Sequence, residues 1–287
     1  MKIVTDCAAD LPQEEVKEFG ITVAPLYIQF PEGEVNSDDL TPDQFYDRLE
    51  NMAPKIPTTA QPSAGIFADL YRKLGEPDDE ILSIHISSGL SGTIQSARLG
   101  LQHVPERVIH LVDTLTLSGG ERFQVLAAAL AAKAGKSKEF MLERLAKIRE
   151  ATEVVYTLET LEYLQRGGRI GRVQALAGML LKIKPIIHVD QRDGKYSTLG
   201  KARTLDKALD TIVEYIGTKY GSEAPLWVTV LHGRFAEQAE RLSALLRQRV
   251  KVGKLEILRI SPVLGVHTGP GIVGLAVVPM ELMEGFE

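Results

Sequence analysis

The sequence predicts an α/β protein of two domains. The first is a parallel three-layer α/β/α domain over residues 1–152, with a small polar excursion at about 31–51; the second, over residues 153–287, is an α/β domain with a mixed sheet. Three observations carry this. Short runs rich in Ile and Val alternate with amphipathic helical patterns through the first half, the rhythm of a parallel sheet covered on both faces. In the second half "QRDGKYS" places Asp193-Gly194 between two strand-like runs, a hairpin signal that makes that sheet at least partly antiparallel. The length of 287 residues sits where one core usually becomes two.

Taken in order, strands are expected at "KIVT" (2–5), "ITVAPLYI" (21–28), "EILSIHI" (80–86) and "RVIHLV" (107–112). Helices are expected at "PQEEVKEF", "PSAGIFADLYRKL", "GTIQSARLGLQHV" and "ERFQVLAAALAAKA". The excursion "PEGEVNSDDLTPDQFYDRLEN" reads as an appendage of the first domain with one short helix, capped by Thr41 with Pro42 at its first position. The second domain is expected to hold strands at 153–158, 185–190, 195–199, 226–231, 254–260 and 272–278, and helices near 159–166, 173–182, 204–219 and 234–249.

Composition excludes several classes. A net charge of −5 gives no general pull toward nucleic acid, and the hydrophobic (44%) and charged (25%) fractions are those of an ordinary globular chain. "MKIVTDCAAD" meets Asp6 before an apolar stretch could act as a signal peptide, and the apolar run "VLAAALAA" (125–132) is far short of a membrane span, so a cytoplasmic protein is expected. One cysteine, Cys7, has no partner for an internal disulfide or a zinc site and reads as a buried small side chain. No phosphate-loop, dinucleotide, zinc-protease or nucleophile-elbow motif is present.

The chemistry gathers at strand ends. In "HISSGLSGTIQSA" (85–97) a helix beginning near Gly92 leaves the first N–H groups unpaired, with a dipole that favours an anion and the Ser91 hydroxyl beside it. From the turn alone, Ser91 as an ordinary helix cap accounts for the pattern equally well. Two more hydroxyl-rich loops, "PTTAQPSAG" (57–65) and "DTLTLSGG" (113–120), tip the balance toward a shared site at one sheet edge. These hydroxyls have no evident base nearby, which suits binding better than turnover, and His85 reads as a core histidine. "LQRGGRIGR" (164–172) presents Arg166, Arg169 and Arg172; for the first and last, pairing with surface carboxylates stands beside a functional reading. The stretch that follows, "VQALAGMLLKIKP", is apolar around nearly its whole circumference. It is either a plain core helix or the wall of an apolar cavity, with Ala177 and Gly178 leaving room for a ligand.

Read together, "TDCAADLP", "TAQPS", "SSGLSGTIQSA", "DTLTLSGG", "LEYLQRGGRIGR", "LLKIKPII", "GKART" and "HTGPGIVG", in order from end to end, resemble the DegV family of bacterial fatty-acid-binding proteins. The resemblance implies a protein without catalytic activity of its own that buries one long-chain fatty acid between its domains. It would present the carboxylate to a separate fatty acid kinase, which makes the acyl phosphate. It carries a carboxylate-binding role onto Thr59, Ser91 and His267, with the backbone at Ala60 and Gly92, and a phosphate-facing or kinase-facing role onto Arg169 and Arg203. No metal, no further cofactor and no nucleic acid are implied, and membrane contact would be transient. Two positions depart from the family pattern: Cys7 replaces a serine, and Ala60 removes a hydroxyl beside Thr59. A lipid-sensing regulator, and a hydrolase or transferase using Ser91 with His267 as base, are the alternatives. The physics fits a lipid: burying about 15 methylenes at roughly 0.8 kcal/mol each yields about 12 kcal/mol before the costs of association.

Overall fold

The computed structural model describes residues 1–179 and 183–286. The chain begins with β1 (Lys2–Asp6), a 3-10 turn at Cys7–Ala9, α1 (Gln13–Phe19) and β2 (Thr22–Ala24). The run expected as one strand at 21–28 is two. Pro25 has no N–H to continue the ladder, and beyond it the chain leaves the parallel sheet to form β3 (Tyr27–Phe30). β3 pairs antiparallel with β4 (Gly33–Asn36) and β5 (Thr58–Ala60), with α2 (Pro42–Asn51) between them in sequence. The excursion therefore contains a strand, β4, as well as the expected helix, whose capping box is complete: Thr41 accepts from the Gln44 N–H and Gln44 accepts from the Thr41 N–H.

The first unit continues with α3 (Ala64–Lys73), β6 (Ile81–His85), α4 (Thr93–Leu101), β7 (Ile109–Asp113), α5 (Ser118–Lys133) and α6 (Lys138–Ala151). Its parallel sheet has the order β2-β1-β6-β7. On one face Val4 and Ile81 pack against Phe67, Tyr71 and Ala97 of α3 and α4. On the other, Ile3, Leu82 and Ile84 pack against α5. α6 was not expected, although Ser137 caps it and its buried Met141, Leu145 and Ile148 have helical spacing.

The second unit consists of β8 (Glu153–Leu158), α7 (Glu162–Arg166), a 3-10 segment over Gly171–Met179, β9 (Lys184–Asp190), β10 (Lys195–Ala202), α8 (Leu205–Tyr220), β11 (Leu226–His232), α9 (Ala236–Arg249), β12 (Val252–Arg259), α10 (Pro262–Thr268) and β13 (Ile272–Pro279). Its mixed six-stranded sheet has the order β10-β9-β8-β13-β11-β12, parallel only at β11–β12. The Asp193-Gly194 turn joins β9 to β10, with Gly194 at φ +64°. α8 and α9 cover the outer face, and α5 lies against β8 and β13 on the inner face. α5 is thus shared by both sheets, and one apolar cluster runs through it from Ile84 to Ala276.

The helix expected at 173–182 is a 3-10 segment as far as it is described. Val173 and Leu176 continue a buried stripe from Ile170, while Arg172, Gln174 and Ala175 are exposed, so this part is not apolar on all sides. The room expected at Ala177 and Gly178, and the continuation to 182, lie outside the residues whose side chains are described.

Candidate functional site

Two of the three hydroxyl loops meet at one cleft. β5 brings Thr59 and Ala60, the turn before α4 brings Ser91, the turn after α7 brings Arg169, and α10 brings His267. The cleft has no aspartate or glutamate among its described lining residues. Gly92 stands at its edge as the N-cap of α4, packed on the Gln61 side chain. The third loop does not line this cleft: Asp113 accepts from the Ser88 and Leu115 N–H groups and the Thr114 hydroxyl donates to the His85 carbonyl, while its Leu117 and Ser118 line a neighbouring cavity.

Ser91 is not the helix cap: Gly92 holds the N-cap position of α4, with no side-chain cap bond, and Ser91 precedes it. The Ser91 Oγ accepts from the Thr93 N–H (3.3 Å) and lies 2.8 Å from the Thr93 hydroxyl, a local turn contact just ahead of the helix. Among the described residues, the N–H groups of Gly92 and Ile94 have no partner, so the helix start keeps donors for an anion.

His267 is 8% exposed and its Nε2 lies 2.8 Å from Thr59 Oγ1, joining positions 208 residues apart in sequence. Burial, reinforced by the Arg169 guanidinium, lowers its pKa to about 4, so the ring is neutral at pH 7. Its Nδ1 is buried without a partner and faces Gly167, where a Cβ would come within 2.2 Å of it. A neutral ring has one N–H. Placing it on Nε2, donating to Thr59 Oγ1, avoids a buried unpaired donor and frees the Thr59 O–H to point at a ligand. The first glycine of the "RGGR" turn is therefore required by contact with the ring.

Arg169 donates to the Gly167 carbonyl (2.7 Å) and lines the cleft as its cation. Arg166 pairs with Glu162, and Arg172 with Asp190 and Asp193, so both are tied to carboxylates. Arg203 is exposed just beyond the end of β10 and is not among the described residues that line the cleft. His85 is fully buried between Asp6 and Ser83, a core histidine. Ser91 and His267 form no nucleophile–base pair, since each is bonded to a threonine, and a ring with a pKa near 4 is a weak base at neutral pH.

Tyr196 and Leu264 line this cleft and also a small, closely packed apolar cavity beside it, with free room of about 30 Å³, walled by Tyr156, Leu117, Leu231 and Ile272. No charged side chain lines that cavity among the described residues. Sequence reasoning missed Tyr156 and Tyr196 as wall residues: their only signal is alternation along β8 and β10, which marks any core strand.

At the cavity edge the Ser118 hydroxyl donates to Asp10, which also accepts from the Ser261 N–H. Burial raises the Asp10 pKa to about 6 despite these bonds. A carboxyl whose folded pKa exceeds its unfolded value stabilises the fold fully below the unfolded pKa, and loses that contribution as pH rises through the folded one. Over a window from about pH 4 to 6 the loss is about 3 kcal/mol at 1.36 kcal/mol per unit. Asp10→Asn, which keeps the geometry, should therefore be more stable than the parent at pH 8 and lose that advantage near pH 4. Urea denaturation at the two pH values checks this; an advantage independent of pH would exclude the titration of Asp10 as its source.

A family model described as "Uncharacterised protein, DegV family" matches residues 1–280. The chain belongs to the DegV family. A DegV domain-containing protein of Deinococcus radiodurans is 35% identical over 277 residues, covering 96% of this chain and 95% of that one. Among solved structures, a DegV family protein from Thermus thermophilus, described for its fatty acid binding, superposes with a TM-score of 0.90 at 33% identity, covering 97% of this chain and 99% of that one. A stearic acid-binding protein from Eubacterium ventriosum gives a TM-score of 0.86 at 27% identity, covering 99% of each chain. These DegV relatives share the two-unit α/β fold described above.

Proposed function

We propose that this protein binds a long-chain fatty acid, with the carboxylate at Thr59, Ala60, Ser91, Gly92 and His267 and the tail in the apolar cavity, and presents the head group to a fatty acid kinase. The two units divide near residue 152, with the ligand between them. One observation carries the reading: a cleft with hydroxyls, a neutral imidazole and one guanidinium but no acid among its described lining residues shares the Tyr196 and Leu264 wall with a cavity lined by no charged side chain, the polarity profile of an amphiphilic anion. The relatives described as fatty-acid binders support it. The missing hydroxyls at Cys7 and Ala60 leave the backbone donors in place. Arg169 sits where a phosphoryl group on the carboxylate would develop charge, and Arg203, outside the cleft, suits contact with the kinase itself.

Mass spectrometry of lipid extracted from the purified protein is expected to find one long-chain acid per chain. Ser91→Ala and Thr59→Val should each weaken acid binding by about 1 to 3 kcal/mol while leaving the binding of an acyl alcohol less affected. No extractable lipid, together with no binding of added acid, would overturn the reading. Arg203→Ala should leave acid binding unchanged and lower kinase-dependent acyl-phosphate formation about tenfold, a change of about 1.4 kcal/mol. Unchanged turnover would remove Arg203 from the kinase contact; no turnover by the parent protein with any kinase tried would favour a lipid sensor.

A further inference from the structure

The first unit's parallel sheet ends at β7, whose outer edge meets no strand among the described residues. The Ile81 N–H donates to the Val108 carbonyl and the Thr114 N–H to the His85 carbonyl, so the even-numbered peptide groups of β7 face β6. Those of Ile109, Leu111 and Asp113 therefore point outward, with no backbone partner among the described residues. An edge of this kind is a template for another strand, and β7 carries neither the lysine nor the proline that commonly blunts one.

The two ends of this edge complement each other. Among the described residues three large apolar side chains are exposed: Leu99 lies on α4, Val108, at 52%, stands just before β7, and Leu142 of α6, at 37%, stands beside its far end. There Leu142, Leu145, Val112, Asp113, Gln124 and Arg149 line a groove with free room of about 220 Å³. By strand alternation Val108 shares a face with Val112. Opposite charges stand at the same two ends. Arg107 spends its guanidinium on the Leu74 and Glu76 carbonyls, Asp113 accepts backbone N–H groups, and neither is in an ion pair among the described residues.

We propose that β7 is the contact between two copies of this chain, paired antiparallel about a two-fold axis at His110. An isologous pair of this kind brings the start of each strand to the end of the other. It sets Val108 of one copy opposite Val112 of the other, beside the groove, and Arg107 opposite Asp113. Ile109 and Leu111 face each other across the axis, and their outward groups exchange about four backbone hydrogen bonds. The match needs no second sequence, because each half of the edge supplies what the other half lacks.

Sedimentation velocity of the full chain at tens of micromolar is expected to show a species of twice the chain's mass. Val108→Lys, which sets a cation against the groove's Arg149, and Leu142→Glu both change exposed positions, and each should raise the dissociation constant of the dimer about tenfold or more. Leu99→Lys, on the side of α4 turned from its buried Ile94 and Ala97, is the control and should leave the dimer unchanged. His110→Cys should cross-link to itself under mild oxidation, since the axis passes between the two copies of this residue, while Cys7 is buried. A dimer that either groove variant leaves intact, that Leu99→Lys weakens as much, or that His110→Cys fails to cross-link would overturn the proposal. So would a parent that stays monomeric; β7 amides that then gain protection from hydrogen exchange only with another protein bound would give the edge to a different partner.

Discussion

Arg122→Ala is expected to remove about 3 to 5 kcal/mol of folding stability, the cost of breaking a buried ion pair on one side. The side chain of Arg122 is fully buried in α5. Its guanidinium donates to Glu15 of α1, to Glu256 of β12 and to Thr229 of β11, so it ties the first unit's helices to the second unit's sheet. Glu256 Oε1 accepts as well from the Trp227 indole (2.8 Å) and from Thr229 (3.0 Å). Alanine would take the guanidinium from Glu15 and leave Glu256 only Lys254, at 3.7 Å, as a cation, with a cavity where the guanidinium lay. The measurement is the urea midpoint of Arg122→Ala beside a triple variant, Arg122→Met with Glu15→Gln and Glu256→Gln, which removes the charge imbalance and should recover most of the loss. A single variant that loses less than about 1 kcal/mol, the worth of a surface pair, would show that the cluster contributes little.

Gly167→Ala is expected to lower fatty-acid binding about as much as either hydroxyl deletion, although it removes no polar group. Its φ is ordinary, so alanine suffers no backbone strain; the obstacle is His267, whose Nδ1 would lie 2.2 Å from the new Cβ, with the Tyr163 carbonyl at 3.0 Å on the backbone side. Overpacking of this kind costs about 1 to 3 kcal/mol. The ring is the part that can move, and moving it breaks the contact with Thr59. Gly168→Ala is the control. Gly168 has φ +72° and nothing within 4 Å of a Cβ, so alanine there is strained but touches no part of the cleft. Calorimetric titration should show acid binding weakened about tenfold or more in the first variant and near the parent value in the second. Equal losses would place the glycine requirement in the turn rather than against the imidazole.

The fold was legible wherever local pattern and tertiary role agree. Parallel strands rich in Ile and Val, the capped α2 and the Asp193-Gly194 hairpin all announce themselves within a few residues. Pro25 also carried its signal, since a proline inside a β-like run argues against one continuous strand. α10 could not be seen this way: its seven residues are all buried, so no polar face reveals a period. The site divides similarly. Ser91 and Thr59 stand in hydroxyl-rich loops and draw attention alone, and His267 and Arg169 came from the family resemblance. The Thr59–His267 contact and the steric need for Gly167 arise between segments far apart in sequence, so no window of residues contains them. Tyr156 and Tyr196 look like any other core tyrosines until the cavity between them is seen.

The sharing of α5 bears on how a bound acid would be released. Alanines fill much of that helix, and Gly119 and Gly120 let its first turn approach so closely that a Cβ on Gly119 would meet Ala276 at 2.6 Å. Packing this close on both sheets ties the two units together through one helix. If an acid is held as proposed, Tyr196 and Leu264, which line both the cleft and the cavity, stand between its head group and its tail. A release that follows their side-chain movement, rather than a parting of the two units, would keep a cargo in place through brief encounters with other surfaces.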